Sequence, residues 1–293
     1  MQDEEIMFYD ERYSKKLLKI KKFPTKLYYL GNDKLLNCPK RIAIVGARDC
    51  STYGRKYAQS FSKTFAKKGV CIISGMALGI DTAAHYGALY EKGKTIAVLA
   101  GGLDNIYPSE NMWLYDLILK NGGCIVTEHE TGIETVMKDF PKRNRIISGM
   151  ADAVLVIEAN HRSGSRITAR YAKEQGKRVY CLPGDIDRTT SIGTAELIQE
   201  GATLVTRPEQ VIDDLYGSNT FEVVKGEQQK MFNTIPNEYR VIYELLNNED
   251  MCSNEIAMRL KINVAELNAM LTMMELEGYI EQKPGYMFSI RKG

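Results

Sequence analysis

The stretch IAIVGARDCSTYGRKYAQSFSKTFAKKGVCIISG, residues 42–75, decides the fold. Its apolar ends, IAIV (42–45) and VCII (70–73), are continuous runs rather than alternating ones. That is the pattern of strands covered on both faces. Residues 54–68 between them read as a helix, and a strand, a helix and a second strand at this spacing make a parallel crossover unit. The alternation continues through TIAVLA (95–100), CIVT (124–127), AVLVIEA (153–159), RVYCL (178–182) and a weaker ATLV (202–205). Helix-like segments fall at 80–91, 109–120, 143–150, 164–175 and 193–200. The expected core is therefore α/β, a doubly wound parallel sheet over residues 41–216.

Outside that core the pattern changes. Residues 1–40, basic and aromatic over 11–36, read as an extension packed on the sheet. Residues 217–236 lose periodicity and read as a linker. Residues 237–293 then give three amphipathic helices and two short strands around Pro284-Gly285, a winged-helix layout. The 293 residues carry a formal charge of +2 and are 44% hydrophobic, which excludes a histone-like polycation but not a local basic groove. No apolar run reaches the roughly 20 residues of a membrane span. The acidic N-terminus lacks the order of a signal peptide, so no membrane contact and a cytoplasmic location are expected. The six scattered cysteines read as reduced thiols, and neither HExxH nor paired CxxC is present, so no metal is expected.

In a doubly wound sheet, ligands bind beyond the carboxyl ends of the strands. There the chain carries Gly46-Ala47-Arg48, then Ser74-Gly75 with Gly79 and Asp81, then Gly101-Gly102, then Arg162-Ser163-Gly164-Ser165. Glycines at such turns let backbone N–H groups reach a ligand, and the following helix N-termini add positive dipole ends. Arg48 and Arg162 match phosphate oxygens. The sum reads as a phosphate cradle, against the alternative that each glycine serves only tight packing. Asp81 reads equally well as a helix cap, His85 as a packed histidine, and Glu158 as a group orienting Arg162 or a plain strand-end acid. GxxxxGK[ST] and GxGxxG are both absent, and no catalytic constellation stands out, so no cofactor and no bond-breaking are expected.

KDFPKRNRIISGM (138–150) gathers Lys138, Lys142, Arg143 and Arg145 around Phe140-Pro141, with Asp139 its single acid. Residues 138–145 are expected as a loop overhanging the cradle. Cations beside an aromatic suit an unpaired nucleic-acid strand, whose bases stack while its phosphates are neutralised. The alternative is a buried Phe140 and a solvated basic face.

In order, IVGAR (44–48), SGMALGIDTAAH (74–85), AVLAGGLDNIYP (97–108), FPKRNRIISGMADAVLVIEA (140–159), SGSRITA (163–169), LPG (182–184) and GTAELIQEGA (193–202) resemble the DNA-processing protein A family, also called Smf. The resemblance spans about residues 20–215. It implies an extended Rossmann-like fold with a small C-terminal winged-helix domain, and a protein that is not an enzyme. It implies sequence-independent binding of single-stranded DNA, a homodimer through the Rossmann-like domain, and loading of the RecA recombinase during natural transformation or recombination. Carried over by motif, the DNA-binding residues are Arg48, Ser74, Gly75, Gly79, Gly101, Gly102, Phe140, Arg143, Asn144 and Arg145, with Lys142 beside them. One departure is Ala195, where the family usually has Asn after Gly-Thr.

Charge separates the two halves. Residues 237–293 hold six Lys/Arg against nine Asp/Glu, leaving that part at −3 and residues 1–236 at +5. VAELNAMLTMMEL (264–276), the candidate recognition helix, has no basic residue, so a regulatory or protein-contact wing is expected rather than a duplex reader. The rival to a DNA binder is a nucleotide-binding sensor or nucleotide-processing enzyme of the related Rossmann-like superfamily. That rival would use a PGGxGTxxE loop. SGSRITARYAKE (163–174) lacks the paired glycines, although it offers Arg170 and Glu174.

Overall fold

The computed structural model describes residues 4–217, 236–260, 262–283 and 285–290, and the chain divides into two units, Met1–Val223 and Val224–Gly293. In the first unit, β1 (Glu4–Met7) and β2 (Lys26–Gly31) come before the alternating region. That region runs β3 (Arg41–Val45), α1 (Thr52–Lys67), β4 (Cys71–Ser74), α2 (Ile80–Tyr90), β5 (Thr95–Val98), α3 (Met112–Lys120) and β6 (Cys124–Thr127). It continues through α4 (Asp139–Met150), β7 (Ala153–Val156), α5 (Gly164–Glu174), β8 (Arg178–Cys181), α6 (Thr189–Gln199), β9 (Thr203–Leu204) and α7 (Pro208–Tyr216).

The nine strands form one sheet in the order β1-β2-β6-β5-β4-β3-β7-β8-β9. The strands from β6 to β9 run parallel, and β1 and β2 extend the β6 side antiparallel. The register sets Ile42 opposite Ile72 on one side and Ala153 on the other. Every residue of β3, β4, β5, β6 and β7 is buried, because helices cover both faces. Ala43, Val45 and Val98 share one core with Ile146 and Met150 of α4, Ala169 of α5 and Leu197 of α6. Ala97, the strand neighbour of Val98, points the other way and packs with Leu89 of α2 and Leu114 and Ile118 of α3. The order of winding reverses between β3 and β7, which makes their carboxyl ends the switch point of the sheet.

Three departures from expectation concern helices. Residues 139–145 are not a loop but the first turns of α4. Pro141 sits in that first turn, where no N–H is required of it, so the Phe-Pro pair does not break the helix. Helix α6 starts at Thr189, earlier than the apolar pattern indicates. Helix α7 lies beyond the last element the sequence pattern indicates; its signals are Pro208 at the first position and the Gln210 side chain accepting the Arg207 backbone N–H at 2.9 Å. In the N-terminal segment, Tyr13, Leu17 and Ile20 are buried, and a Cβ on Gly149 of α4 would meet Leu17 at 2.7 Å.

The second unit contains α8 (Asn237–Asn248), β10 (Met251–Cys252), α9 (Ser253–Leu260), α10 (Val264–Leu276), β11 (Ile280–Lys283) and β12 (Met287–Ile290). Its strands pair antiparallel in the order β10-β12-β11, and Ile242, Leu246, Ile256, Leu267 and Met274 form its core. This is a winged helix. Residues 218–235 of the expected linker and Pro284 of the expected hairpin turn lie outside the described residues. All six cysteines are unbridged. Among the described residues no helix is long and apolar enough to cross a membrane.

Candidate functional site

The turn after β3 and the turn after β7 face each other across the switch point. Between them opens a cavity of about 510 Å³. Gly46, Ala47 and Arg48 line one side and Asn160, Arg162, Ser163 and Gly164 the other, with Phe140, Arg143 and Asn144 of α4 between.

Glycine is sterically required where α2 meets the β3 turn. Gly79 has φ +77°, and a Cβ there would press on the Ala47 carbonyl oxygen at 2.5 Å. A Cβ on Gly46 would collide with Ile80. The Ile80 N–H donates to the Ala47 oxygen at 3.2 Å, fixing the two turns together. Ser74 is fully buried and donates to the Ile44 oxygen at 2.6 Å. It braces β3 against β4 rather than facing the cavity.

Beneath the cavity lies a buried pair of charged groups. Arg143 Nη1 donates to the Gly75 oxygen at 2.7 Å and also to the Val98 oxygen. The Asp81 carboxylate accepts the Gly75 N–H at 3.1 Å. Gly75 itself makes the room, because a Cβ there would approach Arg143 at 2.7 Å and Asp81 at 2.8 Å. Burial pushes the Asp81 carboxyl up, and Arg143 pulls it partly back. Burial likewise lowers Arg143 to about 10, opposed by Asp81 and reinforced by Arg48. Asp81 is thus a tie for the β4 turn and a counter-charge for Arg143, and Gly79 is the residue at the helix cap.

Arg48 is exposed, and its guanidinium lies 4.7 Å from the centroid of the Phe140 ring. The Tyr107 ring, half exposed, stands 5.5 Å from Phe140 on a tilted plane. Phe140 is therefore neither a buried anchor nor a bare platform; it lies between the Arg48 guanidinium and the tilted Tyr107 ring, with Arg48 and Phe140 on the cavity wall. Asn144 donates from Nδ2 to the Gly164 oxygen at 3.1 Å and accepts from Arg143 Nε at 3.2 Å. It joins α4 to the N-terminus of α5, where Ser163 caps the helix by accepting the Ser165 N–H. The positive end of α5 and Arg162 thus meet the cavity together.

Other candidates fall elsewhere. Gly101 and Gly102 are packed under residues 130–135, and the Gly102 N–H donates to the Ile133 oxygen at 2.9 Å. They do not line the cavity. Lys142 and Arg145 project from the opposite side of α4; Lys142 pairs with Asp139 at 3.1 Å and Arg145 with Glu128. Glu158 does not orient Arg162. It accepts from the Ser51 N–H at 2.9 Å and lies 3.7 Å from Arg188. His85 is fully buried against Thr95 at 2.7 Å, and burial lowers its pKa to about 3. Arg170 and Glu174 form an exposed pair at 3.8 Å along α5, outside the cavity lining. Ala195 is exposed and lies outside that lining too.

Two contributors escape sequence reasoning. Thr190 lines the cavity with a buried hydroxyl that has no hydrogen-bond partner among the described residues, and no motif marks it. Asn111 is buried and donates to the oxygen of Met76, which holds a left-handed φ of 63° in the β4 turn. The Asn in YPSEN, three residues after the proline, is a signal only in retrospect.

Comparison with known proteins follows the same division of the chain. The family-wide sequence pattern described as DNA recombination-mediator protein A matches residues 4–216, and that of the DprA winged helix domain matches residues 235–286. Protein Smf of Escherichia coli is 38% identical over 294 residues, spanning 96% of this chain and 76% of its own. DNA processing protein DprA of Streptococcus pneumoniae is 44% identical over 203 residues, covering 69% of this chain and 71% of its own. The X-ray structure of the Streptococcus pneumoniae protein superposes with a TM-score of 0.69 at 41% identity, covering 73% of this chain and 75% of that one. DNA processing protein A from Helicobacter pylori, whose structure was described for its single-stranded DNA binding mode, gives a TM-score of 0.65 at 32% identity over 73% and 95% of the two chains.

Proposed function

Because the chain belongs to the DNA recombination-mediator protein A family, we propose that it binds single-stranded DNA without regard to sequence at the β3/β7 switch point. In this reading it protects incoming strands and hands them to the RecA recombinase. The carrying observation is the Arg48 guanidinium held against the Phe140 ring on the wall of the switch-point cavity. The outer face of the guanidinium offers a plane to a base, and its N–H edge offers donors to phosphate oxygens. Arg162, Thr190 and the N-terminus of α5 supply further donors at the same opening. None of these groups reads a base edge in a duplex groove, which fits indifference to sequence. We assign DNA binding to Arg48, Phe140, Arg162, Ser163 and Gly164 as direct contacts. Ser74, Gly75, Gly79, Arg143 and Asn144 act as the scaffold beneath them.

Handover to RecA, a homodimer through the Rossmann-like unit, and a non-enzymatic role in the cytoplasm are part of this proposal, and the resemblance to the family supports them. So is the division into a Rossmann-like domain at 41–216 and a winged-helix domain at 237–293. Titration of a labelled dT oligonucleotide tests the reading. Arg48→Ala is expected to weaken binding about tenfold, alike for all sequences, with a shallower dependence on salt. Unchanged affinity in that variant, or turnover of AMP by the parent protein, refutes it in favour of a nucleotide-processing role.

A further inference from the structure

Helix α4 has a second charged side. On the face opposite Phe140 and Arg143 lies a larger groove, about 790 Å³, between α4, α5 and the N-terminal segment. Lys19, Lys21, Lys22, Lys142 and Arg145 line it against Glu128 and Glu174, a net excess of cations in a chain of near-zero total charge. The four lysines are exposed. Two buried atoms in this groove have no hydrogen-bond partner among the described residues. Arg145 pairs with Glu128 through Nη2, while its Nη1 is unsatisfied. Gln175 donates from Nε2 to the Arg145 backbone oxygen at 3.1 Å, while its Oε1 is unsatisfied. One is a donor and the other an acceptor, and the Tyr171 ring lies in the same lining.

We propose that this groove is a second contact for an unpaired nucleic-acid strand, separate from the switch-point cavity. Phosphates sit on the lysines and on the Arg145 guanidinium, and a base offers an N–H hydrogen to Gln175 Oε1 beside Tyr171. A simple anion would answer the cations but not the buried acceptor; a nucleotide strand carries both phosphates and N–H donors. The inference rests on the proposed strand binding at the first cavity, and places α4 between two contacts of one longer strand.

The test compares oligonucleotides of about six and about 30 nucleotides, the shorter within one site's usual reach, on the full-length chain. Lys19→Gln/Lys21→Gln/Lys22→Gln changes exposed residues only, so its melting curve should match the parent. For the long strand the triple variant should bind about tenfold more weakly, with the slope of log affinity against log salt reduced by about 2, near 0.7 per lost phosphate contact. For the short strand it should bind as the parent does. Parent-like binding of both lengths refutes the groove as a strand contact. An equal loss on both lengths refutes its separateness. Displacement of the long strand's extra affinity by micromolar AMP reassigns the groove to a mononucleotide. Arg48→Ala, run in parallel, reports on the first cavity alone, so failure of that reading is distinguished from failure of this one.

Discussion

His85 shows how a single titrating group couples the sheet to pH. It is sealed within α2 against Thr95 of β5, and burial holds its pKa near 3 while the unfolded chain takes up a proton near 6.5. A depressed histidine favours folding above the unfolded pKa. That stability is lost as pH falls through the window from about 6.5 to about 3, by at most about 1.4 kcal/mol per pH unit. Acid melts of the parent and of His85→Gln are expected to diverge across this window, with the steeper fall in the parent; parallel curves would contradict it. The sequence reading of His85 as a packed residue followed from its alanine neighbours. The roles of Arg143 and Asp81 did not follow so directly. Both looked ready to touch a ligand, and chain chemistry alone does not tell a charge facing solvent from one tied beneath a turn by Gly75 and Val98.

Among elements, the parallel strands were the most legible, because continuous apolar runs have few other uses. The beginning of α4 was the least legible, because Phe-Pro signals a turn unless proline occupies the first helical turn. That error had a functional cost. A loop would carry Lys142, Arg143 and Arg145 to one place, whereas a helix sends Arg143 inward and the other two to the far side. The joint between β3 and α2 gives the clearest mutational expectation. Gly79→Ala places a Cβ on backbone carbonyls at a φ of +77°, and should cost roughly 2–3 kcal/mol of stability. Strand affinity should fall with it, since Arg48 stands on the same turn. Urea denaturation at equilibrium measures the first quantity; a variant as stable as the parent would mean that the turn yields easily.

For the whole molecule, charge distribution predicts a division of labour. The winged helix is the acidic part, and α10 carries Glu266 and Glu275 but no cation. Each unit has its own hydrophobic core. Removing residues 217–293 is therefore expected to leave most affinity for an unpaired strand, within about threefold of the parent. A larger loss in an oligonucleotide titration would place a strand contact on the wing.

The margins of the large sheet have a consequence for crowding. At one border β1 presents the exposed carboxylates Glu4 and Glu5, the second paired with Lys26 at 3.1 Å. At the other, β9 is two residues long. Charge and brevity both discourage a neighbour from knitting on another strand by backbone pairing. Many copies gathered along one polymer would touch often at such borders, and this architecture lets them jostle without fusing into fibrils.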